Sequence, residues 1–128
     1  MASASDNVRL VDAARSVVGD LALGEDFSAG GVGAAVRTAR GNIYTGVCID
    51  LASGLGFCAE VTAIAQMLTH RETQIEAVVA VTEQGILPPC GRCRETMVQV
   101  DARNLDCAVI VEEGTTVPLR DLLPHHWL

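Results

Sequence analysis

Apolar residues recur at steps of three and four near the start of the chain, at Val8, Val11, Ala14, Val18 and Leu21. This spacing predicts a first amphipathic helix with Asp6 or Asn7 as its cap. Residues 24–31 read as a loop. The pattern then turns to extended runs, 32–38 and 43–47, on either side of the turn signal Arg40-Gly41-Asn42, which predicts a β-hairpin. An irregular loop over 51–56 leads to Cys58, after which Val61, Ile64, Ala65 and Leu68 mark one face of a second helix ending near His70. Residues 77–81 form an uncharged apolar run, as expected of a central strand covered on both faces. Residues 84–89 read as a loop, and Pro89 then precedes a third helix over about 90–102 with Met97, Val98 and Val100 inward. A strand over 107–111, a tight turn at Glu112-Glu113-Gly114 and a last strand over 115–119 follow. That turn is too short for a crossover helix, so this last pair is antiparallel. A brief helix over 119–123 precedes the tail from Pro124 to Leu128. Assembled, these elements predict an α/β fold, a three-layer α/β/α sandwich around a mixed five-stranded sheet.

Composition adds limits to this picture. The 128 residues read as one domain, long enough to bury about two thirds of the unfolded surface without staples. Hydrophobic residues make up 49% and charged residues 20%, an apolar balance that points to a subunit interface. The net charge of -7 lacks the basic footprint that a nucleic-acid polymer needs, so a small-molecule substrate is expected instead. No apolar run approaches the roughly 18 residues of a membrane span, and the start Met1-Ala2-Ser3-Ala4-Ser5-Asp6 lacks the regions of a signal peptide. A cytoplasmic protein is expected, with its five cysteines reduced. An odd number of cysteines fits metal binding better than a disulfide framework.

The candidate chemistry gathers in two stretches, Cys58-Ala59-Glu60 and Pro89-Cys90-Gly91-Arg92-Cys93. Each opens a predicted helix, and the 31 residues between Cys58 and Cys90, about one helix, strand and loop, return the chain to the same side of the sheet. Three thiolates around one zinc ion carry a formal charge of -1, which two helix N-termini and Arg92 between two ligands are placed to offset. Zinc held by three protein ligands keeps a position for water and lowers its pKa toward neutrality, and Glu60 is placed to take the proton.

The spacing Cys-x-Glu, 28 residues, Pro-Cys-x-x-Cys resembles the signature of the zinc-dependent cytidine deaminase superfamily, in its three-cysteine form. The stretches Asp26-Phe27-Ser28, Ile43-Tyr44-Thr45-Gly46, Gly85 to Arg94 and Leu122-Leu123-Pro124 also have counterparts there, and the nearest branch resembles blasticidin S deaminase. The resemblance implies that Cys58, Cys90 and Cys93 bind Zn2+, that Glu60 is catalytic as a proton shuttle, and that the protein is a homotetramer with active sites near subunit junctions. Candidate substrate contacts are Phe27, Ser28, Cys48 and Asp50, at positions with counterparts in the family, and Trp127 as a stacking surface. Where cytidine deaminases carry Asn-x-Glu to hold the ribose hydroxyls, this chain has Cys48-Ile49-Asp50, and a thiol is a poor hydrogen-bond partner. Gly30 stands where the family places an aromatic near the base, and Val61 where many members have an arginine that offsets thiolate charge, a role left to Arg92. These departures favour a cytosine-type ring without an ordinary ribose: an aminonucleoside antibiotic, a free base, or an analogue such as an aminotriazine.

Blander readings stand beside this one. A structural zinc site needs a fourth ligand, such as Cys48, Cys107 or His70, and gives Glu60 no task. A thioredoxin-like redox pair at Cys90 and Cys93, with Pro118 as a later proline, leaves Cys58-Ala59-Glu60 idle. Cys48 and Cys107 read as packing residues, His70 and Arg71 as complements to a helix C-terminus, and His125 and His126 as solvated tail. Trp127 reads as a tail anchor in a subunit contact or, alternatively, a stacking surface for substrate.

Overall fold

The computed structural model describes Ser3 to Trp127; the expectations that involve Met1, Ala2 and Leu128 fall outside the described residues. The first helix, α1, runs Ala4–Val17 and is capped by Ser3 rather than by Asp6 or Asn7. Ser3 Oγ accepts from the Asp6 amide while the Asp6 carboxylate accepts from the Ser3 amide, a reciprocal capping box in which Asp6 serves three residues inside the helix. Leu10, Val11 and Ala14 are its buried face. Val18 and Leu21, assigned to this helix by periodicity, lie beyond its end, and Leu21 belongs to a two-residue strand β1, Leu21–Ala22.

The predicted hairpin is longer than the apolar runs suggest. Strand β2 covers Ser28–Thr38 and β3 covers Ile43–Asp50, so β2 begins inside the stretch expected to be loop. Glycines at 30, 31 and 33 hide that strand from a propensity reading, and β1 pairs antiparallel with its first residues. Helix α2 runs Ala59–Thr69, followed by strands β4, Ile75–Thr82, and β5, Gly85–Leu87. Expected as loop, β5 folds back antiparallel on the end of β4. Helix α3, Gly91–Val100, stops two residues early because Asp101 adopts an extended backbone and accepts from the Arg103 amide, opening a separate 3₁₀ turn over Ala102–Asp106. Strands β6, Ala108–Glu112, and β7, Thr115–Pro118, pair antiparallel as predicted, and a 3₁₀ turn over Leu119–Leu122 follows.

Five strands form the body of the sheet in the order β3-β2-β4-β6-β7, and the short β1 and β5 bring the total to seven. Only β4 and β6 are parallel, joined across α3. Two apolar clusters cover its faces: Leu10, Val11 and Ala14 of α1 lie with Ala35, Val79 and Val81 on one side, while Ala63, Ile64, Met67, Met97 and Val98 of α2 and α3 lie with Val36, Val78 and Val109 on the other. The three-layer arrangement follows from this alternation along β2 and β4.

Two features set the position of α2, the helix that begins at Cys58. Gly46 of β3 lies directly under its second turn, where a Cβ would collide with the Thr62 side chain and the Ala63 amide. Its far end closes in a Schellman motif, with the Glu72 amide donating to Met67 O and the Arg71 amide to Leu68 O, and Arg71 takes the left-handed conformation (φ 64°) usually given to glycine. His70 is the C-cap, with its ring beside Tyr44, centroids 5.0 Å apart. Two residues on, Glu72 is buried and accepts from Tyr44 Oη at 2.6 Å and Asn42 Nδ2 at 2.9 Å, tying the helix end to the hairpin.

Hydrogen bonds from Tyr44, then Thr38 and Asn42, hold the Glu72 carboxyl down to about 2. A carboxylate depressed on folding contributes stability that is complete above its unfolded value near 4.3 and is lost as pH falls toward 2. Thermal midpoints of wild type and Glu72→Gln should therefore lie furthest apart at pH 6, draw together below about pH 4, and converge only once pH has fallen through about 2. A gap independent of pH would mean that the charge of Glu72 is not what the network uses.

Candidate active site

Cysteine is an uncommon helix cap, yet both α2 and α3 begin on one. Cys58 and Cys90 occupy the N-cap positions in extended conformations, and neither side chain makes a capping hydrogen bond. Their sulfurs are thereby left for other chemistry. Phe57 pairs with Ile49 at the end of β3 through two backbone bonds of 2.9 Å, which returns the 51–56 loop to the sheet just before Cys58. Thr62 Oγ1 shares its proton between Val47 O at 2.8 Å and Ala59 O at 2.9 Å, bolting the first turn of α2 to β3.

The topology brings the two helix starts together as predicted. Cys58 Sγ and Cys90 Sγ are 3.5 Å apart, Cys90 Sγ and Cys93 Sγ are 3.5 Å apart, and the three sulfurs lie within 4.8 Å of one another. A tetrahedral zinc thiolate site, with bonds of about 2.3 Å, has sulfur separations of roughly 3.8 Å, so the group fits a zinc ion in both spacing and softness. Among the described residues no fourth His, Cys, Asp or Glu ligand atom joins this group, which answers the closed structural alternative built on Cys48, Cys107 or His70. Cys107 is core, where burial pushes its thiol up to about 12.

Charge within the group is managed by neighbours. Arg92 Nη2 donates to Cys58 Sγ at 3.6 Å, the offsetting contact expected between the ligands, and that bond raises the guanidinium pKa further. Burial pushes the Cys90 thiol up, but donors from the Cys93 amide and thiol, from Cys58 and from the Arg92 amide outweigh it, and the net shift is downward. Burial and then the charge of Glu60 push the Cys93 thiol up. A centre of three thiolates beside a carboxylate is thus favoured by a bound cation. Glu60 itself is only 5% exposed, and burial raises its carboxyl pKa. It faces the cavity that opens over the cysteines.

That cavity is about 560 Å³ and reaches Cys48, Asp50, Cys58, Glu60, Cys90 and Arg92. Its walls include Val32, Phe57, Leu87 and Pro88. Neither Phe57 nor Leu87 is among the residues the sequence singles out; an aromatic next to a candidate ligand is the available signal for the first, whereas Leu87 arrives on β5. Cys48 is buried with its Sγ accepting from the Val32 amide at 3.3 Å and lying 3.6 Å from Asp50 Oδ2. Phe27 and Ser28 are not among the lining residues, and Trp127, 95% exposed, lines a separate hollow with α3 residues Glu95, Val98 and Gln99.

Known proteins carry the same frame. A solved cytidine deaminase from Mycobacterium tuberculosis superposes with a TM-score of 0.80, covering 96% of this chain and 98% of that one at 25% identity. Blasticidin-S deaminase from Bacillus cereus is 32% identical over 91 residues, 63% of this chain and 63% of the relative. Cytidine deaminase from Halalkalibacterium halodurans is 40% identical over 72 residues, 54% of each. The chain thus spans less than two thirds of the length of these curated relatives. The profile of the cytidine and deoxycytidylate deaminase zinc-binding region matches residues 9–109, which include Cys58, Cys90, Cys93, Glu60 and Arg92. The chain therefore belongs to the cytidine and deoxycytidylate deaminase family, with Cys58, Cys90 and Cys93 arranged to hold its zinc ion.

Proposed function

We propose that this protein is a hydrolytic deaminase that converts the exocyclic amine of a cytosine-type ring to a carbonyl and releases ammonia. The observation that carries the reading is the buried Glu60 beside an open three-thiol centre at the floor of a cavity large enough for a small ring. Zinc bound by Cys58, Cys90 and Cys93 supplies the Lewis acidity that brings water close to ionisation at neutral pH. Phe57, Leu87 and Val32 present apolar surface to a planar ring and exclude competing solvent. Glu60 takes a proton from the attacking water and gives it to the ring nitrogen as the new carbon–oxygen bond forms. It then moves the second proton from that oxygen to the amine. The carbon–nitrogen bond breaks, ammonia leaves with its electron pair, and Glu60 returns ionised. Arg92 holds Cys58 and offsets the negative charge of the ligands.

A ring without an ordinary ribose is the substrate that the cavity favours. Cys48 spends its sulfur on the Val32 amide and lies against Asp50 Oδ2, so Asp50 brings a carboxylate to the cavity without the side-chain amide that would complete a pair suited to sugar hydroxyls. The second reading, ordinary cytidine or deoxycytidine, draws support from the likeness to cytidine deaminases. Zinc analysis with ammonia release from cytosine, cytidine, blasticidin S and an aminotriazine separates the two. One zinc per chain without ammonia from any of them would leave only a structural role for the metal. Cys48→Asn with Asp50→Glu should raise cytidine turnover relative to free base by about tenfold, on the scale of one recovered hydrogen bond; an unchanged ratio would remove Cys48 and Asp50 from sugar discrimination. Four copies assemble in this reading, in a reducing cytoplasm that keeps the cysteines free. Exposed Leu21, Leu55 and Trp127 supply apolar surface for such contacts, and a sedimenting mass of one chain would exclude them.

A further inference from the structure

Helix α3 starts against its own dipole. Its first turn holds no acidic residue, while Arg92 and Arg94 stand two and four positions inside the Cys90 cap, where positive charge is unfavourable. Arg92 is explained by Cys58. Arg94 is not, because its guanidinium holds two backbone carbonyls: Nε donates to Pro89 O at 2.8 Å and Nη1 to Leu122 O at 2.9 Å.

Those carbonyls are informative. Pro89 immediately precedes Cys90, and position four reaching back to the residue before the cap is the geometry of a staple that fixes the entry angle of a helix. Ordinarily the staple is an apolar contact; here it is a charged hydrogen bond. Proline has no amide hydrogen to anchor this segment, and Cys90 makes no side-chain cap bond, so the fork of Arg94 replaces the usual restraints. Its second arm fastens the same segment to the 3₁₀ turn at Leu119–Leu122, whose Leu119 is fully buried in the core cluster with Met97, Val98 and Cys107. The neighbouring residue, Cys93, is itself a ligand and fully buried.

We infer that Arg94 is a positioning residue of the metal centre: its guanidinium clamps Pro89 to the C-terminal turn at Leu122 and thereby sets the separation of Cys90 from Cys93 and Cys58. The inference rests on zinc binding by those three cysteines. It takes the planar fork of arginine, since a lysine ammonium keeps the charge but cannot hold the same two carbonyls with the same geometry.

Zinc affinity of wild type, Arg94→Ala and Arg94→Lys, measured by competition with a chromophoric chelator, tests this. Both variants should bind zinc about 10- to 100-fold more weakly, as when support behind a metal ligand is lost. Their cobalt-substituted forms should show altered thiolate-to-metal absorption, a signature that lower stability alone would not produce. Equal zinc affinity and unchanged cobalt spectra in folded variants would overturn the inference, even if metal-free and metal-loaded protein both melted earlier. Full recovery in Arg94→Lys would assign the effect to charge and reject the clamp. Should Arg94→Ala not fold, Arg94→Lys and Arg94→Gln carry the measurement. Wild type that binds no zinc would instead reject the metal centre itself.

Discussion

Glu60→Gln should retain one zinc per chain and lose turnover by about 10²- to 10⁴-fold, the range supplied by a positioned proton-transfer group. The two side chains are nearly the same size, so the buried site at the first turn of α2 keeps its packing. What changes is the ability to accept a proton. Glutamine cannot take one from the attacking water, so neither the ring nitrogen nor the departing amine receives it. Substrate binding should change little, and the loss should fall on kcat rather than KM. Metal content by elemental analysis and ammonia release under saturating substrate separate the outcomes. Activity within a few-fold of wild type would remove Glu60 from the chemistry, and loss of zinc together with activity would show that the carboxylate supports the metal instead.

The second large effect is expected far from any reacting atom. Gly46→Ala should lower stability by about 3 kcal/mol, the upper range for overpacking a tight interior, and with it the thermal midpoint by roughly 10 °C. A methyl group at this position meets Thr62 Oγ1, the Ala63 amide and, at 2.7 Å, the Thr62 carbonyl carbon. Two of these are helix backbone, which cannot rotate away. Helix α2 would have to lift from β3, breaking the Thr62 bond to Val47 and displacing Cys58 at its start. Zinc affinity should fall along with stability. Gly19→Ala is the control, since a Cβ there meets nothing within 4 Å, and its stability should stay within about 0.5 kcal/mol of wild type. Equal melting of the two variants would mean that the helix does not depend on the close approach at Gly46.

Much of the frame is legible along the chain because periodic burial writes itself into sequence. The apolar run of β4 is buried on both faces, and the period of Val61, Ile64 and Leu68 marks a helix at the right place, but its buried face is turned: Ala63, Ile64 and Met67 are inside, while Ala65 and Leu68 are exposed. Boundaries failed where local chemistry competes with pattern. Ser3 is the cap rather than Asp6, and Asp6 returns the bond from inside the helix, a reciprocity that the apolar period does not register. Asp101 ended α3 early by capping the next turn and accepting from Thr73 Oγ1. Strands β1 and β5 are too short, and the start of β2 too rich in glycine, to be read without their partners.

The site divides in the same way. Which atoms meet the metal and which acid stands beside them are set by Cys58-x-Glu60 and Cys90-x-x-Cys93, because helical spacing alone relates residues so close in sequence. Joining the two clusters across 31 residues, by contrast, required the sheet. The engagement of Cys48 with Val32, the wall supplied by Phe57 and Leu87, and the two carbonyls held by Arg94 are decided only in three dimensions. Each depends on backbone atoms brought from another element, and a backbone carbonyl or amide carries no letter in the sequence. The residue types by themselves therefore determined the chemistry available to this protein, and the packing of α2 and α3 against the sheet decided where that chemistry is aimed.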